Sequence, residues 1–214
     1  MSHNHPVQEV LVDFAAGNLS YHETLMISTH LSFCDHCREQ VMALECLGGE
    51  LLNDLPGEPV SDTLLQQCMA VIEQTQPILA NDIPQPPAGI PRPLQRLIRS
   101  GYDQLQWRSV LPNVQLCELD QSPTGETISL YRIKPGAQIP MHTHRGNEFT
   151  VILQGGFSDA LGQYHVGDYL HRAGQHEHAP TADAGDDCIC LTVTEQPLKM
   201  TSWKWRWINP FLRT

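Results

Sequence analysis

Basic residues are scarce in this chain and nearly absent from its first third. Lysine and arginine number 13 among 214 residues, against 24 acids, for a formal net charge of −11. Residues 1–80 hold eleven acids and one base, Arg38. This argues against nucleic acid as a direct partner, because phosphate binding needs clustered Lys and Arg. Long apolar runs are missing as well: nothing approaches the roughly 18 consecutive apolar residues of a membrane span. The opening Met1-Ser2-His3-Asn4-His5 has neither the basic flank nor the apolar stretch of a secretory signal. The expected location is the cytoplasm, with no membrane partner. Seven cysteines, an odd number, suit thiols or metal ligands better than a disulfide framework. With 41% hydrophobic and 17% charged residues, the composition is that of a globular chain.

The charge is divided unevenly, and so is the chain. Residues 1–80 carry a balance of −10 and residues 81–214 only −1. Between them, residues 81–93 contain five prolines; proline fixes φ and removes a backbone donor, so this stretch reads as a semi-rigid linker. The expectation is two domains, 1–80 and 94–214. The first has helical spacing. Pro6 opens a helix carrying Val7, Val10, Leu11 and Phe14 and ending at Gly17, and Ser20 with Glu23 forms a capping box for a second helix reaching about Leu31. A third helix follows Cys34, weakened midway by Gly48 and Gly49, and a fourth begins near Ser61 and Asp62 with Leu64, Leu65, Cys68 and Ile72 on one stripe. After the linker the period becomes two. Ile128 and Leu130 face one way and Tyr131 and Ile133 the other, and strands recur around Val114, Val151 and Leu191 between turn residues. This predicts an all-α bundle followed by an all-β barrel or sandwich.

His30, Cys34 and Cys37 have the spacing of metal ligands. A CxxC turn brings two thiolates together, a His four residues earlier supplies a third ligand, and zinc then wants one more nitrogen or sulfur to close a tetrahedron. His5 is the fourth candidate, with His3 and His22 as competitors; His36, inside the CxxC, points to solvent. Structural zinc contributes roughly 10–16 kcal/mol of apparent folding free energy at neutral pH, enough to secure a small helical domain. A redox CxxC would need a βαβ setting that is absent here. At these residues the chain resembles the zinc-binding anti-sigma factors, whose signature is His-x3-Cys-x2-Cys with an upstream His. The resemblance implies a four-helix inhibitory domain that holds a sigma factor of the extracytoplasmic-function type, whose basic faces would suit the acidic residues 1–80.

The second constellation is Gly136-x5-His142-x-His144-x3-Glu148-x6-Gly155, which matches the first cupin motif. On one strand His142 and His144 point to the same side, and Glu148 returns at the same level. His178, separated from Gly167 by ten residues, is the fourth ligand; Ala173, Gln175 and Ala182 depart from the second cupin motif. Three His and one Glu suit Zn, Fe, Mn or Ni. His165, His171 and His176 are surface residues in this reading, with His176 the substitute for His178.

The two motifs together resemble the ChrR family of anti-sigma factors along nearly the whole chain. That resemblance implies inhibition by the N-terminal zinc domain and release on an oxidative signal, notably singlet oxygen, sensed through the metal-binding cupin (a double-stranded β-helix, or jelly-roll, barrel). The competing reading is a metal-dependent cupin enzyme, a dioxygenase or isomerase, with an accessory helical domain. Cys188 and Cys190 share one strand face and read as buried hydrophobes, with an oxidisable or metal-binding pair as the alternative. Cys46, Cys68 and Cys117 lie on apolar stripes and are expected to pack. Trp203, Trp205 and Trp207 give one greasy strand face, expected in the core or in an intrachain contact, with a homodimer contact as the alternative.

Overall fold

The computed structural model describes residues 4–75, 87–122, 125–143, 146–174, 177–195 and 199–201. Four α-helices lie among them. α1 (Gln8–Ala15) follows Pro6 and ends before Gly17, whose φ of 71° is a left-handed conformation that costs glycine nothing. α2 (Tyr21–Leu31) starts at the capping box: Glu23 N–H donates to Ser20 Oγ and Ser20 N–H to the Glu23 carboxylate. α3 (Asp35–Asn53) runs 19 residues through Gly48 and Gly49 without a break. α4 (Leu64–Gln74) follows, starting slightly later than the spacing predicts.

The rest is antiparallel β-structure. The strands are β1 (Arg108–Leu111), β2 (Val114–Gln121), β3 (Thr127–Ile133), β4 (His142–Thr143), β5 (Glu148–Gln154), β6 (Gly156–Asp159), β7 (Gly162–His165), β8 (Tyr169–Arg172), β9 (Thr181–Ala182), β10 (Cys188–Thr194) and β11 (Lys199–Met200). A six-stranded sheet, β1-β2-β3-β10-β5-β8, is joined by a three-stranded sheet, β7-β6-β9, and the pair β11-β4. The non-sequential order, with β10 between β3 and β5, matches a cupin barrel.

The large sheet is covered on both faces, which is why its strands alternate between two kinds of apolar residue. Ile128, Leu130, Ile189, Leu191 and Val193 belong to one core cluster, and Ile133, Cys188 and Cys190 to a second, against which Tyr131 packs. The second cluster fills the barrel. The first also contains Leu11, Leu25, Met26, Ile27 and Val41 from the helices, and α2 lies directly against β5 and β10. The end of the proline-rich stretch joins it: Ile90, Leu94 and Ile98 are buried there, and the 3₁₀ turn Arg92–Leu94 packs on α2. Residues 76–86, which include 81–86 of the expected linker, lie outside the described residues. The composition step near residue 80 therefore marks a change of architecture across which the hydrophobic core is continuous.

The apolar stripes of α3 and α4 depart from expectation. After Val41 only Leu44 of α3 is partly buried, and α4 has no buried residue at all. Cys46 and Cys68 are exposed, whereas Cys117 is buried as expected. A helical period shows that one face is apolar and does not show what covers it. Residues 203–207, with their three tryptophans, lie outside the described residues.

Candidate metal centres

The helical site is assembled by two helix ends. Cys34 is the N-cap of α3, where its Sγ accepts the Cys37 N–H at 3.4 Å, and Cys37 sits in the first turn. His30 lies in the last turn of α2 and is wholly buried. The ligand atoms of His5, His30, Cys34 and Cys37 all lie within 4.8 Å of one another. His5 Nδ1 stands 3.3 Å from Cys34 Sγ and 3.4 Å from Cys37 Sγ, close to the roughly 3.5 Å edges that zinc–sulfur bonds of about 2.3 Å and zinc–nitrogen bonds of about 2.0 Å imply for a tetrahedron.

The state of His30 fits a ligand. Its Nδ1–H donates to the Gly167 carbonyl at 2.7 Å, which leaves the lone pair on Nε2. That Nε2 is buried and makes no hydrogen bond among the described residues. Burial lowers the His30 pKa and so favours the neutral ring a metal requires. Burial and the neighbouring Cys34 push the Cys37 thiol up to about 12 without a cation; a bound divalent ion reverses that preference.

Of the alternatives for the fourth ligand, the structure brings one into the cluster. His5 belongs to the cluster. His22 is buried in the first turn of α2, outside it, and His36 is exposed. His3 lies outside the described residues.

The barrel site is built by three elements. His142 opens β4, Glu148 opens β5, and His178 faces His142 through a two-way backbone bridge of 3.1 Å bonds. All three are buried. The imidazoles of His142 and His178 are 4.2 Å apart at their centroids, and His178 Nε2 is 3.8 Å from Glu148 Oε2. His142 Nδ1–H donates to Pro140 O at 2.9 Å, which fixes the tautomer with its lone pair on Nε2. His144 lies outside the described residues. These three line one cavity with Tyr131, Leu170, Arg172 and Cys190. The donor set suits a divalent ion of the harder or borderline kind. His165 and His171 are exposed, as expected, and His176 lies outside the described residues.

Two groups of supporting residues escaped the sequence. Asp159 pairs with Arg172 at 2.6 Å, both nearly buried, and its Oδ2 lies 3.8 Å from His178 Nδ1. Asp168, fully buried, accepts from Asn4 and His165 beside the helical site. Neither belongs to a spaced motif. Cys188 and Cys190 are buried with sulfurs 3.5 Å apart; their mutual hydrogen bond, then burial, raises the Cys190 pKa far above the usual thiol value.

A family model described as the ChrR Cupin-like domain matches residues 96–198. The anti-sigma-E factor ChrR of Cereibacter sphaeroides is 36% identical over 216 aligned residues, covering 98% of each protein. A chain in the crystal structure of Rhodobacter sphaeroides SigE in complex with the anti-sigma ChrR superposes with a TM-score of 0.76 at 31% identity, covering 89% of this chain and 98% of that one.

Proposed function

This chain belongs to the ChrR family of anti-sigma factors, and we propose that it binds and inhibits an extracytoplasmic-function-type sigma factor through residues 1–80 and releases it on an oxidative, singlet-oxygen-like signal. As a family member it is a regulator and not an enzyme. In this reading zinc occupies His5, His30, Cys34 and Cys37 and ties α1, α2 and α3 together. A second divalent metal, Zn, Fe, Mn or Ni, occupies His142, His144, Glu148 and His178, and it supplies the chemistry by which the barrel senses.

The observation that carries this reading is the bare apolar face of α4. Leu65, Val71 and Ile72 are 72%, 64% and 64% exposed, and on the last turns of α3 Leu51 and Leu52 are 62% and 67% exposed. Isolated exposed leucines are ordinary, but a whole helix without a covered residue is a surface made for a partner. The acidic surroundings select a basic partner and speed its approach at low salt. Nucleic acid does not suit this charge, and among the described residues no helix is long and apolar enough to cross a membrane. The assigned workplace is the cytoplasm, with polymerase and its sigma factors.

Affinity capture of the full chain from its own cell, followed by mass spectrometry, tests this. The expected result is one co-purifying sigma factor of the extracytoplasmic-function type, lost from a Leu65→Lys/Ile72→Lys double variant that stays folded, since both positions face solvent. Absence of any sigma factor, or full retention by the double variant, overturns the reading. For release, a reporter under the captured sigma factor should remain repressed by His142→Ala and respond weakly to singlet oxygen. A full response refutes the barrel as sensor.

A further inference from the structure

The helical site is held from outside by the barrel. His30 Nδ1–H donates to the Gly167 carbonyl at 2.7 Å. Asn4, next to His5 in the chain, is bound three times: its N–H donates to Asp168 Oδ1 at 3.1 Å, its Nδ2 to Asp168 Oδ2 at 3.3 Å, and its carbonyl accepts the Tyr169 N–H at 2.9 Å. His30 and the chain neighbour of His5, which come from different segments, thus meet the same three consecutive barrel residues, 167–169. Those residues are fixed in turn. Gly167 N–H donates to Ile152 O at 2.9 Å, and its φ of 91° lies where only glycine is unstrained. Asp168 is fully buried, and its Oδ2 also accepts the His165 N–H at 2.9 Å.

The other end of β8 reaches the second site. β8 begins at Tyr169, whose ring lies 6.1 Å from that of His30, and ends three residues later at Arg172. Arg172 pairs in register with Glu148 and forms the ion pair with Asp159 that faces His178. One short strand therefore touches the surroundings of both candidate metal sites.

We propose that the turn of Gly167 and Asp168 is a positioning element of the His5, His30, Cys34 and Cys37 metal site, so that docking of the barrel and retention of the helical metal are one coupled equilibrium. This rests on the metal reading of that site and not on the identity of any sigma factor. The Gly167 carbonyl fixes the tautomer and ring plane of His30, and Asp168 fixes the segment that delivers His5. Partners of this kind behind a metal-bound His typically alter metal affinity about 10- to 100-fold when removed. Coupling is reciprocal: whatever loosens the barrel from α2 loosens the metal, and loss of the metal weakens docking by the same factor. A change at the barrel site thereby acquires a mechanical route to the helices, through β8.

The test uses the full chain and two variants. Asp168→Asn sets an amide against the N–H groups that the carboxylate now accepts, and Asn4→Ala removes one side-chain bond from a half-buried position. Transfer of zinc to a chromophoric chelator should be at least tenfold faster for Asp168→Asn and a few-fold faster for Asn4→Ala, with barrel metal content unchanged. In the cobalt-substituted protein the thiolate charge-transfer and d–d bands should shift as His5 reorients, which a general loss of stability does not cause. Wild-type transfer rates and spectra in both variants overturn the proposal, even if Asp168→Asn lowers the melting temperature. If Asp168→Asn does not fold, Asn4→Ala decides alone. A wild-type chain holding no metal at Cys34 and Cys37 overturns this proposal together with the metal reading. Faster transfer in a chain that captures no sigma factor supports it while the anti-sigma reading fails.

Discussion

The Asp159 carboxylate stands 3.8 Å from Nδ1 of His178, whose Nε2 faces Glu148 Oε2 at the same separation on the other side. A carboxylate behind a His orients the ring and raises its basicity toward a metal. Arg172, 2.6 Å from Asp159, in turn holds that carboxylate, and both side chains are nearly buried.

Asp159→Asn should accordingly weaken barrel metal binding about 10- to 100-fold and leave the helical metal in place. Competition against a calibrated chelator, read metal by metal, checks this. Unchanged barrel affinity removes Asp159 from the site. The variant also loses a buried ion pair, where breaking one partner commonly costs about 3–5 kcal/mol, so a lower melting temperature should accompany it.

Cys34→Ala or Cys37→Ala should remove one metal per chain and spare the other. An incomplete tetrahedron no longer joins the end of α2 to the start of α3, so helical circular dichroism should fall while the β-signal persists. Elemental analysis that finds the same metal content in variant and wild type refutes the helical site.

Without metal, the chain should lose stability as the pH falls below neutral. The folded pKa of His30 is lowered by burial, so below its unfolded value of about 6.5 the unfolded state binds the extra proton more readily than the folded state. The contribution of His30 is fully present above about 6.5 and declines as the pH drops toward the lower folded value. Urea midpoints of the metal-free full chain at pH 7.5 and 5.5 measure it; a midpoint that does not fall contradicts a buried, neutral His30.

Leu94→Ala should destabilise the whole chain although it lies beside the proline-rich segment. Leu94 is fully buried in the core shared by α2 and the large sheet, and truncating such a residue costs about 2–5 kcal/mol. A single cooperative urea transition shifted to lower concentration is the expected result. Two separate transitions, with only one moved, contradict a shared core.

The sequence by itself determined whatever depends on neighbours a few residues apart. The capping box of Ser20 and Glu23, the Cys34 and Cys37 pair at a helix start, and the alternation of Ile189 against Cys188 and Cys190 are local geometry, set by the 3.6- and 2-residue periods. That His142, Glu148 and His178 line one cavity was legible because a motif spaces such residues along the barrel. The tertiary structure alone decided which surfaces those periods meet. Cys46 and Cys68 sit on apolar stripes yet face solvent, and the charge step near residue 80 divides two architectures without dividing the core. The supports of the candidate metal sites were hidden for the same reason. Gly167 meets His30 across 137 residues, and Asp168 meets Asn4 across 164; no periodicity spans such separations, because only the closing of the barrel against α2 brings them within hydrogen-bonding distance.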